Sequence, residues 1–188
     1  MSHFWDRVHD LFDTSDGCLE DIEINSLSGN EVESTYAYLR PHSKIVSDDL
    51  YFWSKTAQKD LRVDSVENAA RLVVSGEADA FRTVVPGLSY NGAVVPNLGI
   101  FVFDDSIEPD YRPGPEWGPA GLEALFACLR EVKRLAPSAE ITLTAGLDAI
   151  RERFALALKQ YLDENKGQGE SILILLVICC NLLTVVAE

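Results

Sequence analysis

The sequence predicts an α+β fold: a single domain in which a mixed or antiparallel sheet is packed by about four helices, followed by an apolar C-terminal element. Three observations predict it. Strand-like and helix-like segments both occur, without the regular spacing of βαβ units. The dipeptide Asn91-Gly92 lies among apolar segments, a hairpin signal that favours antiparallel pairing. The chain has 188 residues, 47% of them apolar and 24% charged, which is ordinary globular composition and enough length for one sizeable core.

The elements follow in order. Phe4, Trp5, Val8, Leu11 and Phe12 fall at helical spacing, so residues 3–12 read as a short amphipathic helix capped by Ser2. Asp13-Thr14-Ser15-Asp16-Gly17 is a turn whose side chains bond their own backbone. Asp21-Ile22-Glu23-Ile24 alternates as a half-buried strand. Ser28 and Glu31 form a capping box that opens a helix with Val32, Tyr36 and Leu39 inward, and Pro41 ends it.

Leu50 to Trp53 and Leu61 to Val63 read as strands. Asp64 and Glu67 make a second capping box ahead of Val66, Ala69, Ala70 and Leu72, with Gly76 as the stop. Residues 81–103 read as β structure: Phe81 to Val85, the Asn91-Gly92 turn, then Gly99 to Phe103. Pro86 and Pro96 make the intervening pieces edges or loops. Residues 104–119, rich in Asp, Pro and Gly, read as a loop. A helix follows with Leu122, Leu125, Phe126, Leu129, Val132 and Leu135 inward. Ala139 to Thr144 is a strand, and residues 148–163 form a last helix with Ile150, Phe154, Leu158, Tyr161 and Leu162 inward.

This reading divides the chain into an acidic α+β domain, 1–166, and an apolar C-terminal segment, 167–188. Residues 171–187 carry no charge and, as a helix, span roughly 25 Å, the short limit for crossing a bilayer. Two readings stand. As an anchor, the run follows a polar linker, but it contains Asn181 and lacks flanking aromatics and a basic residue after Lys166. As a core element, it is rich in Ile and Val, which suits a buried strand.

The net charge of −14 argues against nucleic acid as a partner, since phosphate contacts need clustered Lys and Arg. The same charge would steer a basic partner. Four cysteines, Cys18, Cys128, Cys179 and Cys180, show no zinc-ligand spacing, and no secretory pattern opens the chain. The expected location is the cytoplasm, or a membrane face if residues 171–187 anchor the chain. No nucleophile elbow, phosphate loop, HExxH or GxGxxG is present, so no catalytic residue, metal ligand or cofactor is assigned. Placing Gly17 at the sixth position of an EF-hand loop puts Phe12 and Thr14 where carboxylates are required, which excludes that motif. A looser cation site from Asp13, Asp16 and Asp21 is an alternative to a solvated acidic turn. His3 and His9 are too far apart in sequence to share a metal readily and, with His42, read as exposed; Cys128 reads as core.

Charge placement carries the functional reading. Residues 1–34 hold nine Asp or Glu and one Arg, and a second acidic segment runs from Asp104 to Glu116 with Tyr111 and Trp117 among its carboxylates. Acidic residues beside aromatics make a docking face for a basic protein. The candidate contacts are Asp13, Asp16, Glu20, Asp21 and Glu23, with Asp104, Asp105, Glu108, Tyr111 and Trp117. The alternative is an acidic surface with the aromatics packed inward. Carboxylates acting as acid and base, or holding a divalent metal, define the enzymatic alternative. A membrane-tethered adaptor is the third reading.

The segment from Leu11 to Ile22, L-F-D-T-S-D-G-C-L-E-D-I, followed by Ser28-Gly29-Asn30-Glu31-Val32, resembles the opening of small bacterial immunity-type proteins of toxin systems. The resemblance covers about 25 residues, under a fifth of the chain. It implies an acidic cytoplasmic α+β protein that binds and blocks a toxin domain.

Overall fold

A computed structural model describes residues 3–14, 17–40, 51–85, 87–90, 92–144 and 148–166. The expectations for Ser2, Pro41, His42, Leu50, Pro86, Asn91 and the apolar segment 167–188 lie outside the described residues. Among the described residues, no helix is long and apolar enough to cross a membrane.

The fold is α+β, with a five-stranded antiparallel sheet at its centre. Five strands build it: β1 (Glu20–Asn25), β4 (Phe81–Val85), β7 (Leu98–Val102), β8 (Ile107–Tyr111) and β9 (Glu140–Leu143). Their order is β4-β7-β8-β1-β9, and every neighbouring pair is antiparallel. Two small hairpins flank the sheet: β2 (Tyr51–Ser54) with β3 (Lys59–Arg62), and β5 (Ser89–Tyr90) with β6 (Ala93–Val94). The second closes through Gly92, whose φ of 79° is the left-handed conformation a tight hairpin turn demands.

The helices pack on one face. They are α1 (Trp5–Val8), α2 (Gly29–Leu39), α3 (Ala69–Val74), α4 (Pro119–Leu135) and α5 (Asp148–Glu164). Strand alternation points Ile22, Ile24, Phe81, Val85, Leu98, Ile100, Val102, Ile107 and Leu143 toward them, and all nine are buried. Phe126 of α4 centres the aromatic packing, edge-on to Phe4, Phe154 and Tyr161 at 5.5–6.1 Å. Tyr36 of α2 meets Phe81 in the same way at 5.5 Å.

The capping box at α2 forms as the sequence predicts: Ser28 N–H and its hydroxyl donate to Glu31 Oε2 at 2.8 and 2.6 Å. Three expectations are corrected. The first helix is only Trp5–Val8, and the chain tightens into a 3-10 turn at His9–Leu11, although Phe4, Val8 and Phe12 are buried as expected. The cap of α3 is Asn68, whose Oδ1 accepts from Ala70 N–H at 3.1 Å; Asp64 instead forms an ion pair with Arg62 at 2.7 Å. The competing arginine, two residues away, captures the carboxylate that the box would use.

The third correction concerns the segment 104–119. It contains β8, a central strand that carries Pro109. A proline has no N–H to give a ladder, which argues against a central strand. The fold accommodates it on one side only. Ile100 pairs with Pro109 across to β7, while the register with β1 runs Glu20↔Tyr111, Asp21↔Asp110 and resumes at Ile24↔Ile107. The interruption falls opposite Pro109, where the donor is missing.

Candidate functional site

The face of the sheet turned away from the helices is charged. Alternation along β1 puts Asp21 and Glu23 there, and alternation along β8 puts Glu108 and Asp110 there. The two strands are neighbours, and Asp21 lies directly opposite Asp110. Two acidic stretches more than eighty residues apart in sequence thus form one row of carboxylates.

Among the described residues, one arginine forms an ion pair with the row. Arg82 on β4 reaches over β7 to Asp110, donating from Nε to Oδ2 and from Nη2 to Oδ1, both at 2.7 Å. The crossing depends on Gly99, the β7 residue underneath. A Cβ at that position would collide with Asp110 Oδ2 and Arg82 Nη2. Phe101, two residues further along β7, lies against the guanidinium with its ring centroid 5.5 Å from the Arg82 carbon. Asp110 is 2% exposed, and both of its oxygens are engaged by this bidentate pair.

The remaining carboxylates are less well matched. Burial pushes the Asp21 carboxyl above its ordinary range, and the neighbouring Asp110 and Glu23 push it further, with Arg82 opposing them. Glu108 is raised in the same way, by burial first and then by Glu23 and Asp21. Glu23 is stitched locally, accepting from Asn25 Nδ2 at 3.0 Å and from Thr142 Oγ1 of β9 at 3.4 Å. Among the described residues, the row therefore holds four carboxylates ion-paired by one cation, on a surface formed by strands rather than loops.

Of the residues singled out from the sequence, Asp21, Glu23 and Glu108 come together here. Glu20 has the opposite parity on β1 and pairs with Tyr111. Asp104 and Asp105 sit in the exposed turn between β7 and β8. Asp13 lies in the N-terminal turn, 3.1 Å from His9 Nδ1, and Asp16 lies outside the described residues. Tyr111 and Trp117 are core residues, 1% and 5% exposed. Tyr111 stacks on Phe12 at 4.8 Å and donates from its hydroxyl to Leu11 O, while Trp117 Nε1 donates to Arg112 O. Their rings hold the N-terminal turn against the sheet and offer no face to a partner.

Sequence reasoning did not single out Arg82, Gly99 or Asp110 for the site. The alternation of Phe81 to Val85 carried the signal for Arg82, since it places that residue opposite the buried Phe81, Thr83 and Val85. Cys128 is buried as expected, its thiol pushed up to about 12 by desolvation, so it is protonated at neutral pH. Among the described residues, no three His, Cys, Asp or Glu side chains are grouped to hold a metal ion.

The same face opens into a cleft of about 390 Å³ where the chain enters β1 and β7 and leaves β8. The Arg82–Asp110 pair lines it, along with Arg112 and Glu116. Comparison with protein-family models, with curated proteins and with solved structures finds no match for this chain.

Proposed function

We propose that this protein is a non-enzymatic binding module that receives a basic partner on the open face of its sheet. The observation that carries the reading is the row Asp21, Glu23, Glu108 and Asp110, drawn from two acidic segments onto adjacent strands and, among the described residues, ion-paired by Arg82 alone. Like charges held side by side cost free energy in the unbound protein, and a partner's Lys or Arg side chains would relieve that cost on docking. In its specific form, the module is immunity-type: it binds a cationic toxin domain stoichiometrically and blocks it.

The test titrates a labelled Lys/Arg-rich peptide against the full chain and against two triple variants of equal net charge. D21N/E23Q/E108Q empties the row, while D60N/E77Q/E152Q removes the same charge elsewhere. The expected result is that only the first variant loses binding, by about tenfold or more, and that wild-type affinity falls as salt shortens the Debye length toward about 8 Å. Equal losses in both variants would reduce the interaction to net charge and overturn the assignment of the face.

A further inference from the structure

We propose that the cleft beside the acidic row binds a small zwitterion with an aliphatic body, an α-amino acid in chemical class. The site shares Asp110 with the row but none of Asp21, Glu23 and Glu108, and the inference does not rest on the partner reading. A pocket of about 390 Å³ is of the size that takes small ligands, and a few convergent polar groups on an apolar wall give such pockets their selectivity.

The lining has that composition. Leu19, Val84 and Pro96 supply the apolar wall, and Leu19 is 47% exposed although it is a large aliphatic residue. Arg112 and Glu116 bring opposite charges to the same cleft, four residues apart in sequence. Neither side chain forms an ion pair or hydrogen bond with the other, or with any described residue. Glu116 is accommodated by Gly114: a Cβ there would lie 2.6 Å from Glu116 Oε2. Gly99 gives the same clearance to the Arg82–Asp110 pair, so both sets of charged groups lie over glycines.

Charge balance selects the ligand. An anion would meet Arg112 but also Glu116 and Asp110; a cation would meet Glu116 but also both arginines. A molecule carrying one charge of each sign satisfies both unpaired groups at once. Its carboxylate would be taken by Arg112 together with Arg82 Nη1, which the Asp110 pairing leaves unused and holds in place. Its ammonium would meet Glu116, and its side chain would cover Leu19, Val84 and Pro96.

The experiment is isothermal titration calorimetry of the full chain with L-leucine, with 4-methylpentanoate, which lacks the ammonium, and with L-leucinamide, which lacks the carboxylate. The same titrations are run on R112M and E116Q, whose side chains make no described contact that folding needs. The expected result is saturable leucine binding, weakened by about tenfold or more in each variant and for each analogue. The proposal is overturned by the absence of saturable binding at about 10 mM leucine, by analogues that bind as well as leucine, or by binding that both variants leave unchanged. The D21N/E23Q/E108Q variant keeps every cleft residue and should bind leucine as wild type does, so failure of the partner reading and failure of this one are separable.

Discussion

On the helix-covered side of the sheet, Ile22, Ile24, Leu98, Ile100, Val102 and Ile107 are each 1% exposed or less. On the other side, the same strands present Asp21, Glu23, Gly99, Phe101, Glu108 and Asp110. The first face is held by burial of apolar area, which is non-directional and tolerates exchange among side chains of similar volume. The second depends on individual partners: one arginine, one glycine that lets it cross, and carboxylates that repel one another. The difference teaches that stability and selectivity are segregated by strand parity. Changes on the first face should cost in proportion to the volume removed. Changes on the second should depend on which neighbour is left behind.

The largest expected effect tests the covered face. Phe126→Ala removes the ring at the centre of three aromatic contacts and leaves a cavity the surrounding helices cannot fill, for a loss of about 4 kcal/mol. Urea denaturation should show a lower midpoint with an unchanged slope. A loss below about 1 kcal/mol would mean that the core is loosely packed around Phe126 and would break the comparison on its firmer side.

The next effect is specific to the open face and changes sign with context. Gly99→Ala should cost about 3 kcal/mol, because the new methyl displaces Arg82 and leaves Asp110 buried without its partner. That figure is at the low end for a buried pair, since Arg82 is itself one-third exposed. In an R82A/D110A background both obstructing side chains are gone. Gly99 has no left-handed φ, so an alanine there should be neutral or stabilising, by about 0.4–1 kcal/mol, through the unfolded chain. Equal costs in the two backgrounds would show that the glycine serves backbone packing rather than the ion pair.

These expectations also mark what could be read from the sequence. The covered face was legible almost completely, because apolar alternation in β1 and apolar spacing in α2, α4 and α5 each point to the same side. The capping box at Ser28 was legible because it is local. The open face was half legible: parity identified Asp21 and Glu23 as outward, but the neighbour of a strand is set by register across more than eighty residues. Nothing in the order of residues says that Asp110 stands opposite Asp21 or that Arg82 reaches over Gly99. The strand β8 was missed for a related reason. Pro109 is a strong local signal against a central strand, and only the interrupted ladder opposite it shows why the strand survives. Tyr111 and Trp117 were grouped with the acidic loop because they are its neighbours in sequence, whereas packing against Phe12 decides their orientation.

The smallest effect reads the burial of the row's carboxylates and, after it, their mutual repulsion. Asp21 and Glu108 both have carboxyl pKa values raised on folding, so between the unfolded and folded values the native state binds more protons than the unfolded chain. Stability then falls as pH rises through that window, and the penalty is fully present above it. Asp21→Asn should therefore stabilise the fold at pH 7, by about 0.2–1 kcal/mol for a like-charge pair directly across strands. The gain should vanish below the ordinary aspartate value of 3.8, where wild type is protonated as well. Glu31 supplies the opposite sign as a control. Its hydrogen bonds from Ser28 lower its pKa, so its contribution is present above the ordinary glutamate value of 4.5 and is lost as pH falls through the lowered one. Thermal melts of D21N and E31Q across pH should thus diverge at neutrality, one above wild type and one below, and converge in acid. A D21N protein less stable than wild type at pH 7 would mean that Asp21 makes a net attractive contact, and the row could not then gain from a cationic partner in the way proposed.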